Sequence, residues 1–284
     1  MLPRKDAIVV RVSGISLLNH ASHNNYILPA FNVSSVDMAQ AILDGSKLAK
    51  SPIFLQTNQK NIQSFLTIKK AGKAINDLVQ KHPIPVALHL DHANTLEEVQ
   101  EAKSNHYSSF MLDFSTLPLE ENINKIKVII NTINVSANGL EGELGVIGGQ
   151  SELIGDATFT ESLYTDPDEA SYFVEKTQVD SLAIAIGARH GIAGKINYNL
   201  LNKIQINVNK PLVIHGGSGI NKKSFSKLNQ HGVKKINFGT AIHNIFYKNH
   251  NSENFSLGNN KKELTRYVQL ICNDLNSKNQ YTSY

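Results

Sequence analysis

An α/β fold, a closed barrel of eight parallel strands alternating with helices, is predicted by three features of this 284-residue sequence. Short β-branched and apolar runs recur along its whole length, stretches with helical spacing lie between them, and polar residues gather where the runs end. Strands alternating with helices imply a parallel sheet. No Pro/Gly/Ser-rich linker or low-complexity block divides the units, which favours a (β/α)8 barrel of the TIM type over an open doubly wound sheet.

The first run is Ile27–Phe31, followed by helical spacing over Val36–Ala49. Ile53–Gln56 precedes the helical stretch Ile68–Lys81, Val86–Leu90 precedes Leu96–Ala102, and Ser109–Leu112 precedes Leu119–Ile133. Gly139–Leu144 and Pro167–Lys176 form the next pair, after which come the runs Leu182–Ile186 and Leu212–Ile214, the helical stretch Lys222–His231 and the last strand, Lys235–Phe238. Ala241–Lys248 and an amphipathic pattern over Lys261–Leu275 complete the chain. One barrel domain over residues 1–284 is therefore expected, with an N-terminal extension of about residues 1–12 and a C-terminal helical segment of about 241–284.

Composition excludes several classes of function. The longest apolar runs, such as LAIAIG, fall far below the roughly 20 residues that span a bilayer, so no membrane role is expected. The opening MLPRKDAIVV lacks the apolar core of a signal peptide, and a cytoplasmic protein is expected. A formal charge of +4 is spread along the chain without a dense basic stretch, which gives no reason to invoke nucleic acid. The single cysteine, Cys272, excludes an internal disulfide.

Three histidines stand at strand ends, in VALHLDHA, LAIAIGARHG and PLVIHGGSG, and offer His92, His190 and His215 to one metal. Three imidazoles leave a coordination position open, which suits catalysis. Asp91, next to His92, is placed to transfer a proton. Neighbouring strand residues point to opposite faces, so the two share a site only if the regular pleat ends there. His89 has the parity of Asp91 and is either a core residue or a support behind the ligands. Glu143, at the end of GLEGEL, either ligates or orients a ligand or pairs with a lysine, and Glu141 shares its parity.

Asn32, Asp91, His92, Glu143, His190, His215, Gly216, Ser218, Asn237 and Thr240 all fall at or just beyond carboxyl ends of predicted strands, where barrel active sites are built. The glycines of HGGSG let backbone amides approach an anion while Ser218 adds a hydroxyl, and INFGT adds Asn237 and Thr240. The long segment from Gly145 to Pro167, with Gly148 and Gly149, reads either as a mobile lid or as a flexible surface insertion.

Together LPAFN, HLDHA, GELGVIGG, HG, HGGSG and NFGT closely resemble the class II, zinc-dependent ketose-bisphosphate aldolases, nearest to the fructose- or tagatose-bisphosphate branch, over roughly Val12–Lys248. The resemblance implies that His92, His190 and His215 bind Zn2+, with Glu143 as an alternate or supporting ligand. It implies that Asp91 moves the proton of the oxygen on the bond-forming aldehyde carbon, and that Asn32 contacts the substrate near the reactive carbons. Gly191, Gly216, Ser218, Asn237 and Thr240 would bind the phosphate of dihydroxyacetone phosphate, with a monovalent cation, Na+ or K+, nearby. The implied reaction is reversible cleavage of a ketose 1,6-bisphosphate to dihydroxyacetone phosphate and glyceraldehyde 3-phosphate through a zinc-stabilised enediolate. A homodimer or homotetramer is likewise implied.

Departures from the family pattern cluster on the acceptor side. Asn58 stands where a serine or threonine is usual, and Gln150 and Ser151 separate the two glycines from Glu152, the candidate lid acid. IAGKIN replaces a tyrosine-containing stretch, and ENFSLGNNKKEL lacks the usual Asp-Pro-Arg. Arg189 is placed either to recognise an acceptor anion or to turn outward into a salt bridge. Two further functions are therefore weighed beside the bisphosphate aldolase: an aldolase with a different aldehyde acceptor, and a noncatalytic phosphosugar-binding or assembly subunit.

Overall fold

The computed structural model describes residues 11–134, 138–146, 163–188 and 194–283. Eight parallel strands close into a barrel in sequential order: β1 (Leu28–Asn32), β2 (Ile53–Thr57), β3 (Val86–Ala93), β4 (Ser109–Leu112), β5 (Leu140–Leu144), β6 (Ser181–Ile184), β7 (Leu212–Ile214) and β8 (Val233–Phe238). Closure pairs β1 with β8, with Ala30 opposite Asn237. Every strand residue is buried except His92, which is half-buried. Burial on both faces is what helices outside and side chains inside a parallel barrel impose.

The outer helices are α2 (Val36–Ala49), α4 (Ile68–Val79), α5 (Leu96–Ser104), α6 (Leu119–Thr132), α7 (Pro167–Thr177), α8 (Tyr198–Asn207) and α9 (Phe225–Gln230). Side-chain oxygens of Ser35, Thr67, Thr95, Asp166 and Asn197 accept backbone N–H groups at the starts of α2, α4, α5, α7 and α8. Each such cap is worth about 1 kcal/mol. The run Lys222–His231 is split, with a 3-10 turn over Lys222–Ser224 ahead of α9.

Three helices stand where no helix is predicted: α1 (Gly14–His23), α3 (Gln59–Gln63) and α8. The first of these closes the amino-terminal end of the barrel. Leu17, Leu18 and Ala21 of α1 cluster with Leu28, Ala30, Phe54 and Ala87. Gly14 lies so close to β4 that a Cβ would sit 2.3 Å from Ser109 Oγ, so a larger residue would lift the plug. The opposite end is left for the strand-end residues.

Beyond β8, α10 (Thr240–Phe246) leads to α11 (Leu257–Asp274), which packs along α2 on the barrel's outer face. Thr265 Oγ1 donates to Ala41 O at 3.0 Å, and Asn279 N donates to Ala49 O at 3.0 Å. Among the described residues no helix is long and apolar enough to cross a membrane.

Candidate metal and phosphate site

The end of β3 shows how two adjacent residues come to share one site. The register with β4 shifts between Leu90 and Ala93, and His92 has φ +53°. A bulge of this kind breaks the alternation of side chains. Left-handed backbone at a non-glycine residue costs on the order of 1 kcal/mol or more and gathers at functional sites. The result brings His92 Nε2 within 4.0 Å of Asp91 Oδ1.

Asp91 is buried and surrounded by amide donors. Asn32 Nδ2 of β1 donates to its Oδ2 at 2.9 Å, Gln56 Nε2 of β2 to Oδ2 at 3.2 Å, and Asn237 Nδ2 of β8 to Oδ1 at 3.4 Å. Burial pushes this carboxyl up, but its electrostatic interactions with His92, His215 and Lys235 outweigh that and hold Asp91 below the ordinary carboxylate range. It is an anion with a fixed orientation.

His92 and His215 meet with ring centroids 4.9 Å apart and planes at 89°. His92 Nδ1 lies 2.7 Å from Asp113 Oδ2, just past β4. The backbone N–H of Ser115 holds the other Asp113 oxygen at 3.0 Å. Burial raises the Asp113 carboxyl, and its hydrogen bond and charge interaction with His92 more than offset this. A carboxylate has no proton to give, so Nδ1 donates, and with the ring neutral the lone pair lies on Nε2.

His215 is arranged the other way round. Its Nε2 lies 3.2 Å from Glu141 Oε1, while its Nδ1 faces Glu143 Oε2 at 3.8 Å. Ser115 Oγ donates to Glu143 Oε1 at 3.2 Å, and Glu143 Oε2 is 4.0 Å from His92 Nδ1. Lys235 Nζ donates to Glu141 Oε2 at 2.7 Å, with both side chains buried. Burial lowers the His215 imidazole, and the bond to Glu141 only partly restores it. Burial would raise Glu141, yet Lys235 and His215 bring it down to about 2.

Two donor sets result, Asp91 with His92 and His215, and His92 with Asp113 and Glu143, each with ligand atoms within 4.8 Å of one another. Imidazole nitrogens and carboxylate oxygens are the ligand types that divalent zinc takes. The set fits a cation chemically, because a deprotonated ring nitrogen and a carboxylate oxygen bring electron pairs towards one point.

The neighbouring rim is built by β7 and β8. Gly216 has φ +72°, a conformation glycine adopts without strain, and starts the 3-10 turn Gly217–Gly219. A Cβ on Gly217 would lie 2.4 Å from Ile236 Cγ2, so the turn folds flat against β8. Ser218 Oγ accepts from Ala241 N at 3.1 Å, joining this turn to the start of α10 next to Thr240.

Asn32, Asp91, His92, Glu143, His215 and Asn237 are thus brought together, and Gly216, Ser218 and Thr240 form the adjoining rim. Asn58 is occupied otherwise, since its side chain accepts from Asn61 N at 2.9 Å and caps α3. His89 lies beneath Asp91 with its Nδ1 2.7 Å from Ser109 Oγ, against the Phe54 ring. His190, Arg189, Gly191 and Glu152 lie outside the described residues. Residue patterns alone did not single out Gln56, Asp113 and Lys235. Asp113 directly follows a predicted strand, and Lys235 and Asn237 share one strand parity, which were the available signals.

The family model described as "Fructose-bisphosphate aldolase class-II" matches residues 12–280. A fructose-bisphosphate aldolase of Staphylococcus aureus strain Mu50 is 34% identical over 236 residues, covering 81% of each chain. Among solved structures, the YdjI aldolase from Escherichia coli K12 superposes with a TM-score of 0.80 at 26% identity, over 95% of this chain and 99% of that one. A putative fructose-1,6-biphosphate aldolase from Coccidioides immitis gives a TM-score of 0.83 at 25% identity, over 96% and 99%.

Proposed function

Because the chain belongs to the class-II fructose-bisphosphate aldolase family, we propose that it cleaves a ketose 1,6-bisphosphate of the fructose or tagatose type, reversibly, to dihydroxyacetone phosphate and glyceraldehyde 3-phosphate. One observation carries this reading: His92 and His215 meet beside Asp91, each with its far ring nitrogen engaged by a carboxylate. His92, His215 and His190 would hold Zn2+, with Glu143 supporting. The chemistry such a cation supplies is Lewis acidity, which polarises the sugar's ketone and hydroxyl oxygens and makes the adjacent carbon acidic.

In the cleavage direction Asp91 takes the proton from the hydroxyl on the carbon that becomes the aldehyde, and in synthesis it returns that proton. Its three amide donors hold the anionic form required for the first task and aim it. Asn32 contacts the substrate near the reactive carbons. Gly191, Gly216, Ser218, Asn237 and Thr240 bind the donor phosphate, with Na+ or K+ beside it. Glu152 exchanges the carbon-bound proton, and Asn58 and Arg189 face the acceptor. The protein works in the cytoplasm as a homodimer or homotetramer.

The commitment of Asn58 to capping α3 favours a second reading for the acceptor end, in which a different aldehyde is taken. Zinc-loaded protein in heavy water tests both readings. Loss of the carbon-bound proton of dihydroxyacetone phosphate together with cleavage of fructose or tagatose 1,6-bisphosphate is expected. Exchange without cleavage of either sugar selects the different acceptor. Neither exchange nor cleavage contradicts the enzyme and leaves a noncatalytic phosphosugar-binding subunit.

A further inference from the structure

The reaction just proposed gives Glu141 and Lys235 no task, yet they hold an ion pair at the centre of the barrel, 2% and 0% exposed. Their surroundings offer an apolar alternative. Met111, Ala183 and Val213 cluster in the buried core, and the Lys235 ammonium lies 5.4 Å from the centre of the Phe54 ring. Removing two charges from water costs several kcal/mol per ion, and well-packed apolar residues of similar volume are often as stable or more so. Packing alone therefore does not account for the pair.

Its geometry supplies the account. Glu141 uses one oxygen on Lys235 Nζ at 2.7 Å and the other on His215 Nε2 at 3.2 Å. A buried imidazole can present either ring nitrogen, by turning over or by exchanging tautomers, and only one choice places a lone pair towards Glu143 and the site. We propose that Glu141, oriented by Lys235, is a positioning residue that holds the proton of His215 on Nε2 and thereby aims Nδ1 at the divalent cation. The inference rests on the metal-dependent reading above and adds to it residues that touch neither metal nor sugar. A carboxylate behind a ligand imidazole fixes the ring's orientation and raises its basicity, and losing such a partner weakens metal affinity about 10- to 100-fold.

The test has an arm that needs no substitution. In metal-free protein labelled with nitrogen-15 at histidine, long-range proton–nitrogen spectra should show the His215 proton on Nε2. A proton on Nδ1 overturns the proposal. The second arm compares zinc affinity, by competition with a chelator, between the parent and two double variants that leave no unpaired buried charge. Glu141→Leu with Lys235→Met removes the acceptor, and should bind zinc about 10- to 100-fold more weakly while keeping its circular dichroism spectrum and unfolding midpoint. Glu141→Gln with Lys235→Met retains an acceptor oxygen and should fall between this variant and the parent. Added zinc should restore kcat in both, with KM for the sugar bisphosphate unchanged. A folded leucine–methionine variant with the parent's zinc affinity contradicts the inference alone, whereas a parent that binds no zinc contradicts the metal-dependent reading as well.

Discussion

The ends of β3 and β7 each deliver an imidazole to the same place by opposite means. At β3 the backbone does the work: a bulge and a left-handed residue turn His92 into the mouth, where its side chain keeps 18% of its surface exposed. At β7 a wholly buried His215 follows the strand without a left-handed φ of its own, and the surrounding side chains set the direction. His92 gives its Nδ1 proton to Asp113 and presents Nε2, whereas His215 gives its Nε2 proton to Glu141 and presents Nδ1. At the rim a serine backbone N–H and some solvent suffice to steady the carboxylate. In the interior, where an isolated charge is far more costly, a buried lysine is needed as well. Depth, and not the identity of the ligand, decides how much support each imidazole requires.

The largest effect expected falls on Asp91, which both ends share. Asp91→Ala should slow carbon–carbon cleavage about 10²- to 10⁴-fold while zinc stays bound. Steady-state rates set beside metal content check this, and parental turnover would remove Asp91 from proton transfer. Next comes the interior support. Lys235→Met leaves Glu141 buried without its cation and should lower unfolding stability by about 3–5 kcal/mol, measured by urea denaturation.

A smaller effect follows pH at the same depth. Burial, reinforced by Lys235, lowers His89 from 6.5 to about 3, so the folded protein keeps the ring neutral while the unfolded chain protonates it below 6.5. Stability is then fully present above that value and is lost as pH falls towards 3. At pH 5 the loss from this one group is about 2 kcal/mol. His89→Gln should remove that part of the slope, and urea midpoints on either side of pH 6.5 that shift as in the parent would show that His89 is not its source. The rim should be the most tolerant. Asp113→Asn still accepts the His92 proton and should lose only about 1 kcal/mol of stability; a loss as large as that of Lys235→Met would break the contrast between rim and interior.

Much of this arrangement is legible in the residues, for identifiable reasons. Each barrel strand is a short apolar run, and the strand-end polar residues follow those runs directly, so β1 to β8 and the cluster of Asn32, Asp91, His92, Glu143, His215 and Asn237 can be read together. The helix α8, in YNLLNKIQIN, is diluted by asparagine, and α1 serves as a plug that no alternation of strands and helices calls for. Gln56 and Lys235 escape notice because strands buried on both faces carry no period-two pattern, which leaves nothing to separate an inward polar residue from an outward one. The bulge at His92 is invisible for a related reason: LDHA contains only the condition that both side chains share a site, and the register shift against β4 is what satisfies it.

Anomalous diffraction at the zinc absorption edge, on crystals of the zinc-loaded protein, tests the convergence of these two ends most directly. One zinc ion should lie about 2.0–2.1 Å from both His92 Nε2 and His215 Nδ1. Zinc bound away from either ring, or held through His92 Nδ1 or His215 Nε2, would contradict the account.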